Sequence, residues 1–300
     1  MTSRAAREKI HAVVSRVAVV GPGAIGGVIA AWVHQSGRHE VTICARQAFG
    51  ELRVETPAGP LVAQLPVLTS PAQATPVDWV LVATKAYDAA GAATWFGNLV
   101  APGTRVAILQ NGVEHRERFA PYLPAERVTP VIVDLPCERT RPGQMRQRRE
   151  GLLVVPDDDA GREFVALFRG TSLDVSTTPD FKSVAWRKLC LNAAGVISAL
   201  TLKPAGVMHG EAIGDLARDL VRECTAVGRA EGAVLDDDLP ESVLQTYRSA
   251  PPDSVNSLHA DRAAGRPLEI DARNGVIVRL GRKYGIPTPC NQMAVALLRA

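Results

Sequence analysis

The stretch Arg16-Val17-Ala18-Val19-Val20-Gly21-Pro22-Gly23-Ala24-Ile25-Gly26-Gly27 decides how the rest of the chain is read. Its valine-rich start predicts a short buried strand at 16–20, and the apolar run that follows predicts a helix over 24–36. Glycine is wanted three times at this junction, each time for a different reason. Gly21 allows a tight turn, Gly23 lets backbone approach a pyrophosphate, and Gly26 lets the helix lie close against the sheet. The amides at the helix start, from Ala24 and Ile25 onward, then face the phosphates from the positive end of the helix dipole. A second strand at 41–45 follows at the distance a βαβ unit needs, so the pattern reads as a dinucleotide site.

That second strand ends at Cys44-Ala45-Arg46, where an NAD-specific site would carry Asp or Glu for the ribose 2′-hydroxyl. The planar guanidinium of Arg46 suits a 2′-phosphate instead, which predicts NADP(H); the plain alternative is an exposed arginine at a strand end. Two more polar residues follow predicted strands: Lys85 after 78–84, and Asn111 after 104–109. Ligands of open parallel sheets bind at the carboxyl ends of the strands, so Gly21, Arg46, Lys85 and Asn111 are expected along one edge.

Further strands are predicted at 128–133, with helices over 86–99 and 114–123. Strands alternating with helices mean a parallel sheet covered on both faces. After Asp134 the rhythm changes, and 143–149 with 152–155 read as an appended hairpin. Arg139, Arg141, Arg146, Arg148 and Arg149 in that region read as a solvated edge guarded by charge rather than as an anion site. From 180 onward helical periodicity takes over, near 181–202, 210–231, 240–249, 253–264, 269–284 and 289–299. The expected fold class is α/β: a Rossmann-type parallel-sheet domain at 16–179, then an all-α helical domain at 180–300. Residues 1–15 are expected to be a weakly structured extension.

Composition narrows the function. The chain has 300 residues, 46% hydrophobic and 22% charged, with a formal net charge of +3, too slight for a nucleic-acid footprint. No apolar run is long enough to span a membrane, and the first residues lack a signal-peptide pattern. Five cysteines without a Cys-x-x-Cys pair argue against disulfides and zinc, and predict reduced thiols in the cytoplasm. The six histidines show no ligand spacing, so no metal is expected. Only six of the 34 basic residues are lysine, which makes Lys85 and Lys188 harder to dismiss as surface filler. Arginine cannot release a proton near neutral pH, and lysine can.

Lys188 lies in Trp186-Arg187-Lys188-Leu189-Cys190-Leu191-Asn192, with Asn192 four residues on and on the same helical face. Burying an ammonium without a partner favours its neutral form, which makes a lysine a usable proton donor. The alternative is a lysine that snorkels to solvent from a packed helix.

Taken with Thr84-Lys85-Ala86, Gln110-Asn111-Gly112, Ser257 with Asp261, Glu269-Ile270-Asp271 with Asn274-Gly275, and Gly285-Ile286-Pro287-Thr288-Pro289, the chain resembles the ketopantoate reductase family over roughly residues 16–292. The resemblance implies NADPH-dependent reduction of a 2-oxo acid to a 2-hydroxy acid, with ketopantoate as the leading substrate. Carried over, Lys188 is the general acid, and Asn111 and Glu269 are its polar partners. Ser257 is implied as a donor to the substrate carboxylate and Asn192 as a donor to the distal hydroxyl. Lys85, Asn111 and Glu269 also join the expected cofactor contacts, and a homodimer is a candidate assembly.

Three places depart from the family pattern: Val196, Gly206 and Leu268 stand where polar residues are common. All lie on the substrate side, where lost donors change discrimination strongly. The nearest alternatives are a 3-hydroxy acid dehydrogenase, in which asparagine typically follows the lysine at i+3, and a noncatalytic NADPH-binding sensor.

Overall fold

In the computed structural model, which describes residues 15–300, the valine-rich run is strand β1 (Arg16–Val20), buried from its second residue on. Helix α1 (Ala24–Gln35) follows, then β2 (Glu40–Cys44), β3 (Leu52–Thr56), β4 (Gly59–Ala63), β5 (Val67–Leu68) and β6 (Trp79–Val82). Short helices α2 (Ala89–Ala93) and α3 (Phe96–Leu99) precede β7 (Arg105–Ile108), and α4 (His115–Phe119) precedes β8 (Val128–Pro130). β9 (Ile132–Asp134), β10 (Cys137–Arg141), β11 (Gln144–Gln147), β12 (Leu152–Pro156), α5 (Asp159–Leu167) and β13 (Asp174–Thr178) complete the α/β part. The helical part comprises α6 (Phe181–Ala194), α7 (Val196–Thr201), α8 (Glu211–Ala230), α9 (Leu239–Ser249), α10 (Ser257–Ala263), α11 (Val276–Tyr284) and α12 (Pro289–Arg299).

The main sheet runs β5-β2-β1-β6-β7-β8 with every pair parallel, which is the doubly wound order with its reversal between β1 and β6. Apolar clusters cover both faces, one centred on α1 with Ile29 and Ile43, the other on Phe96, Phe119 and Val82. Each such fully buried side chain contributes roughly 1.5–3 kcal/mol. The predicted fold class is borne out: a Rossmann-like sheet domain, then a helical domain with its own core around Trp186, Leu189 and Leu244. A small apolar joint of Ile132, Val154 and Ala185, with Val113, Phe181 and Val184 against it, links the two.

Several local expectations are corrected. The hairpin is not 143–149 with 152–155: β10 pairs antiparallel with β11 through the Pro142-Gly143 turn, where Gly143 has φ +75°. β11 then lies parallel to β3, while β12 joins β9 and β13 in a separate sheet. Pro-Gly is a turn signal, and reading Gly143 as strand displaced the register. The β3–β4 hairpin over α1 was not anticipated, although its side chains alternate buried and exposed. The helix predicted over 86–99 is a 3-10 turn at Ala86–Asp88 followed by α2 and α3, and that predicted over 181–202 breaks at Gly195. The arginine-rich edge is exposed and ion-paired, with Arg146 on Glu55 and Arg148 on Glu138. Of the extension expected at 1–15, residues 1–14 lie outside the described residues.

Candidate active site

Each glycine of the first turn meets a different constraint. Gly21 sits at φ +89°, and a Cβ there would lie 2.7 Å from Thr84 Cγ2 and 2.9 Å from Thr84 N, so the turn is pressed against the strand end at β6. At Gly26 a Cβ would stand 2.3 Å from the Gly21 carbonyl oxygen and 3.0 Å from Ala83 Cβ, which is the close helix–sheet approach. A Cβ at Gly23 would meet nothing within 4 Å. Among the described residues no side chain caps α1 and no acidic residue lies in its first turn, so its first amides leave the positive end of the helix unopposed. This cradle fits a dinucleotide pyrophosphate in both shape and charge. Arg46 is exposed just past the end of β2.

On the far side of the sheet reversal, β6 delivers Lys85 and β7 delivers Asn111, and both turn toward Glu269 of the helical domain. Lys85 Nζ donates to Asp261 Oδ2 at 2.7 Å and to Glu269 Oε2 at 3.0 Å. The Ala86 amide donates to Glu269 Oε1 at 2.9 Å, and Asn111 Nδ2 to Glu269 Oε2 at 3.2 Å. Glu269 and Asp261 are both buried, whereas the Lys85 side chain keeps 38% of its surface. Burial pulls the Lys85 ammonium down, but Glu269 and Asp261 outweigh it, and its pKa is raised above the ordinary lysine value. Arg266 Nε completes the cluster on Asp261 Oδ1 at 2.9 Å.

The Gln110-Asn111-Gly112 loop is braced from α4. Arg118 Nη1 donates to Gln110 Oε1 at 3.2 Å and to the Asn111 carbonyl at 3.4 Å. Gly112, at φ +106°, leaves no room for a Cβ, which would lie 2.8 Å from the Ala272 carbonyl oxygen of the helical domain. His115 Nε2 donates to the Gln110 carbonyl at 2.8 Å, and full burial pushes its pKa down from 6.5 to about 4. A histidine held neutral stabilises the fold above its unfolded value, and that stabilisation is lost as pH falls from 6.5 toward 4, by about 3 kcal/mol. Urea melts across that window are expected to show the slope in the native chain and its reduction in His115→Gln.

Lys188 stands elsewhere. Its Nζ donates to Asp134 Oδ1 at 3.0 Å, and Arg149 Nη2 donates to the other oxygen of that carboxylate at 2.9 Å. Of the groups expected beside Lys188, Asn111 and Glu269 are hydrogen-bonded to each other, and Glu269 to Lys85, which follows the end of β6, while Lys188 leaves α6 beside Asp134. Burial raises the Asp134 carboxyl, but Lys188 and Arg149 more than offset this and hold its pKa low. Asn192 lies one turn beyond Lys188, half-buried, and Ser257 is exposed as the first residue of α10, capped by Asn256. Val196 is fully buried in the helical core, and Leu268 packs against that core. Gly206 lies against Pro252, where a Cβ would come within 3.0 Å of a carbonyl oxygen.

Sequence reasoning assigned no role to Asp134, Arg118, Asp261 or Arg273. Asp261 had a usable signal: it lies at i+4 from Ser257, on the same helical face. Asp134 closes an apolar strand run, a weaker signal shared by many strand ends. No helix among the described residues is long and apolar enough to cross a membrane, and no group of three His, Cys, Asp or Glu there could hold a metal.

A family model described as ketopantoate reductase PanE/ApbA matches residues 17–159, and its C-terminal counterpart matches 180–300. The curated 2-dehydropantoate 2-reductase of Caulobacter vibrioides is 56% identical over 284 residues, 95% of this chain and 98% of its own. Among solved structures, the PanE/ApbA family ketopantoate reductase of Ralstonia eutropha JMP134 has a TM-score of 0.86 at 33% identity, covering 95% of this chain and 97% of that one. The dimeric ketopantoate reductase of Staphylococcus aureus has a TM-score of 0.85 at 25% identity, with the same coverage. With its glycine cradle, its Glu269 cluster and both family models matched in order, this chain belongs to the ketopantoate reductase family.

Proposed function

We propose that this chain reduces 2-dehydropantoate to pantoate with NADPH, and that Lys188 is the proton donor. The observation that carries the reading is Glu269: a buried carboxylate of the helical domain held by Lys85, the Ala86 amide and Asn111 at the carboxyl edge of the sheet, beside the glycine cradle. That edge is where ligands of doubly wound sheets bind. The 56% identity to a curated reductase supports the substrate. We also propose a division between the two domains at 179/180, supported by the C-terminal family model that matches from residue 180. A homodimer acting in the cytoplasm belongs to the same proposal, supported by the dimeric Staphylococcus aureus relative and by five free cysteines.

When bound, NADPH supplies the hydride. Negative charge then builds on the substrate's carbonyl oxygen, and Lys188 answers it with a cation that also carries a proton. To do so its ammonium exchanges Asp134 for the substrate. The side chain keeps 24% of its surface, so water can restore the proton. Lys85 is the poorer donor, because two carboxylates stabilise its charged form. Asn111 and Glu269 hold the substrate and nicotinamide ends of the cleft in register, Ser257 donates to the substrate carboxylate, and Asn192 to its hydroxyl.

The test is loss of NADPH absorbance against a panel of 2-oxo acids that includes ketopantoate. Ketopantoate is expected to give the highest kcat/KM, and tight NADPH binding without turnover on any member of the panel would overturn the reading. In the same assay Arg46→Asp is expected to shift the NADPH/NADH preference toward NADH by about tenfold or more. An unchanged ratio would return Arg46 to an ordinary exposed arginine.

A further inference from the structure

Arg273 is only 2% exposed, yet its guanidinium makes no hydrogen bond to a carboxylate, and its Nε has no partner among the described residues. Arginine stays protonated in proteins, so this is a buried positive charge that needs a reason. Among the described residues its one side-chain hydrogen bond runs from Nη2 to the main-chain carbonyl of Asn192, at 2.7 Å. That carbonyl belongs to the last turn of α6, where the negative end of the helix dipole and unsatisfied carbonyls collect.

Other side chains converge on the same break. Tyr247 Oη donates to the Leu191 carbonyl at 2.9 Å, Asn274 Nδ2 to the Ala193 carbonyl at 3.2 Å, and Asn256 Nδ2 to the Gly195 carbonyl at 2.8 Å. They come from three different segments of the helical domain. Gly195 makes the convergence feasible: a Cβ there would lie 2.4 Å from the Tyr247 hydroxyl and 3.1 Å from both Arg273 Nη2 and Asn256 Nδ2. Arg273 and Asn274 sit on a π-turn, Asp271–Gly275, that begins two residues after Glu269. Asn256 also caps α10 by accepting from the His259 amide, at the residue preceding Ser257. One buried hub therefore ties together the elements that carry Glu269, Asn192 and Ser257.

We infer that Arg273 is a positioning residue for substrate recognition, clamping the α6 terminus so that the Asn192 amide is presented to the substrate. The inference rests on the proposed role of Asn192. It also gives a reason for the buried charge: the α6 turn that carries Asn192, one turn beyond Lys188, is held rigidly. The charge is further favoured by Glu269 and Asp261 nearby, although burial sets its pKa below the ordinary arginine value.

The experiment is a double-mutant cycle on the full-length enzyme with ketopantoate and NADPH, measuring KM, kcat and NADPH Kd for Arg273→Met, Asn192→Ala and the pair. Arg273→Met is expected to raise the ketopantoate KM by about tenfold, with kcat changed less and NADPH Kd within about twofold. In the Asn192→Ala background the same substitution is expected to leave KM unchanged, and Arg273→Lys, which keeps one donor, to recover part of the native KM. A role in stability alone would lower the melting temperature without this split. If Asn192→Ala raises KM and the two effects simply add, or if folded Arg273→Met keeps the native KM, the inference fails while the functional reading stands. If Asn192→Ala leaves KM unchanged, the assignment of Asn192 fails and the inference falls with it. Should the methionine variant not bind NADPH, the milder lysine variant runs the same cycle.

Discussion

Lys188→Ala is expected to lower kcat for ketopantoate reduction by about 10²–10⁴-fold, the range that a positioned general acid contributes. NADPH Kd is expected to stay within about twofold, since no part of the glycine cradle depends on this side chain. The lost ion pair is partly exposed, with 24% and 35% of the two side chains accessible, so the cost in stability should stay within about 1 kcal/mol. The combination of a collapsed kcat, intact cofactor binding and a nearly unchanged melting temperature is what separates a proton donor from a structural lysine. Native turnover in the folded variant would remove Lys188 from the chemistry and turn attention to Lys85. Because the ammonium rests on Asp134, the donor role requires that contact to be exchangeable, which a partly exposed pair of this kind allows.

Glu269→Ala should be costly in both stability and activity. Its carboxylate accepts from Lys85, the Ala86 amide and Asn111, and it is buried, so truncation strands three donors at the domain junction. A loss of about 2–4 kcal/mol is expected, moderated because Lys85 keeps Asp261 and some water. Activity is expected to drop by about 10²-fold or more in kcat/KM, since Asn111 and Lys85 lose the group that sets their direction. Glu269→Gln separates the two effects. It retains an acceptor for the Ala86 amide and should recover most of the stability, but without the charge it should leave kcat/KM well below native. Thermal melts and steady-state kinetics on both variants decide the matter: if Glu269→Gln were as active as the native chain, the negative charge would have no part in the site.

Much of the site was legible because its parts are announced locally. Gly21, Gly23 and Gly26 each answer a backbone requirement that a strand-turn-helix imposes within a few residues. Arg46, Lys85 and Asn111 could be placed on one edge because parallel strands put their carboxyl ends together. Partnerships were less legible. Lys188 and Lys85 are both lysines beside predicted site elements, and nothing in either neighbourhood states which one meets Glu269. Asp134 and Arg273 carry no distinctive local pattern: one closes an apolar strand run as many residues do, the other sits inside a helical run where arginine is common.

By itself, then, the sequence determined the doubly wound sheet, its cofactor turn and the order of its domains, because strand and helix periodicity and glycine geometry act over a few residues. Only the tertiary structure decided that Lys85 reaches across 184 residues to Glu269, that Lys188 rests on Asp134, and that Arg273 closes the end of α6. The first two depend on how the two domains meet, and the third on how segments of the helical domain pack against α6. A charge takes whichever opposite group the docking brings within about 3 Å, and no local propensity encodes that distance.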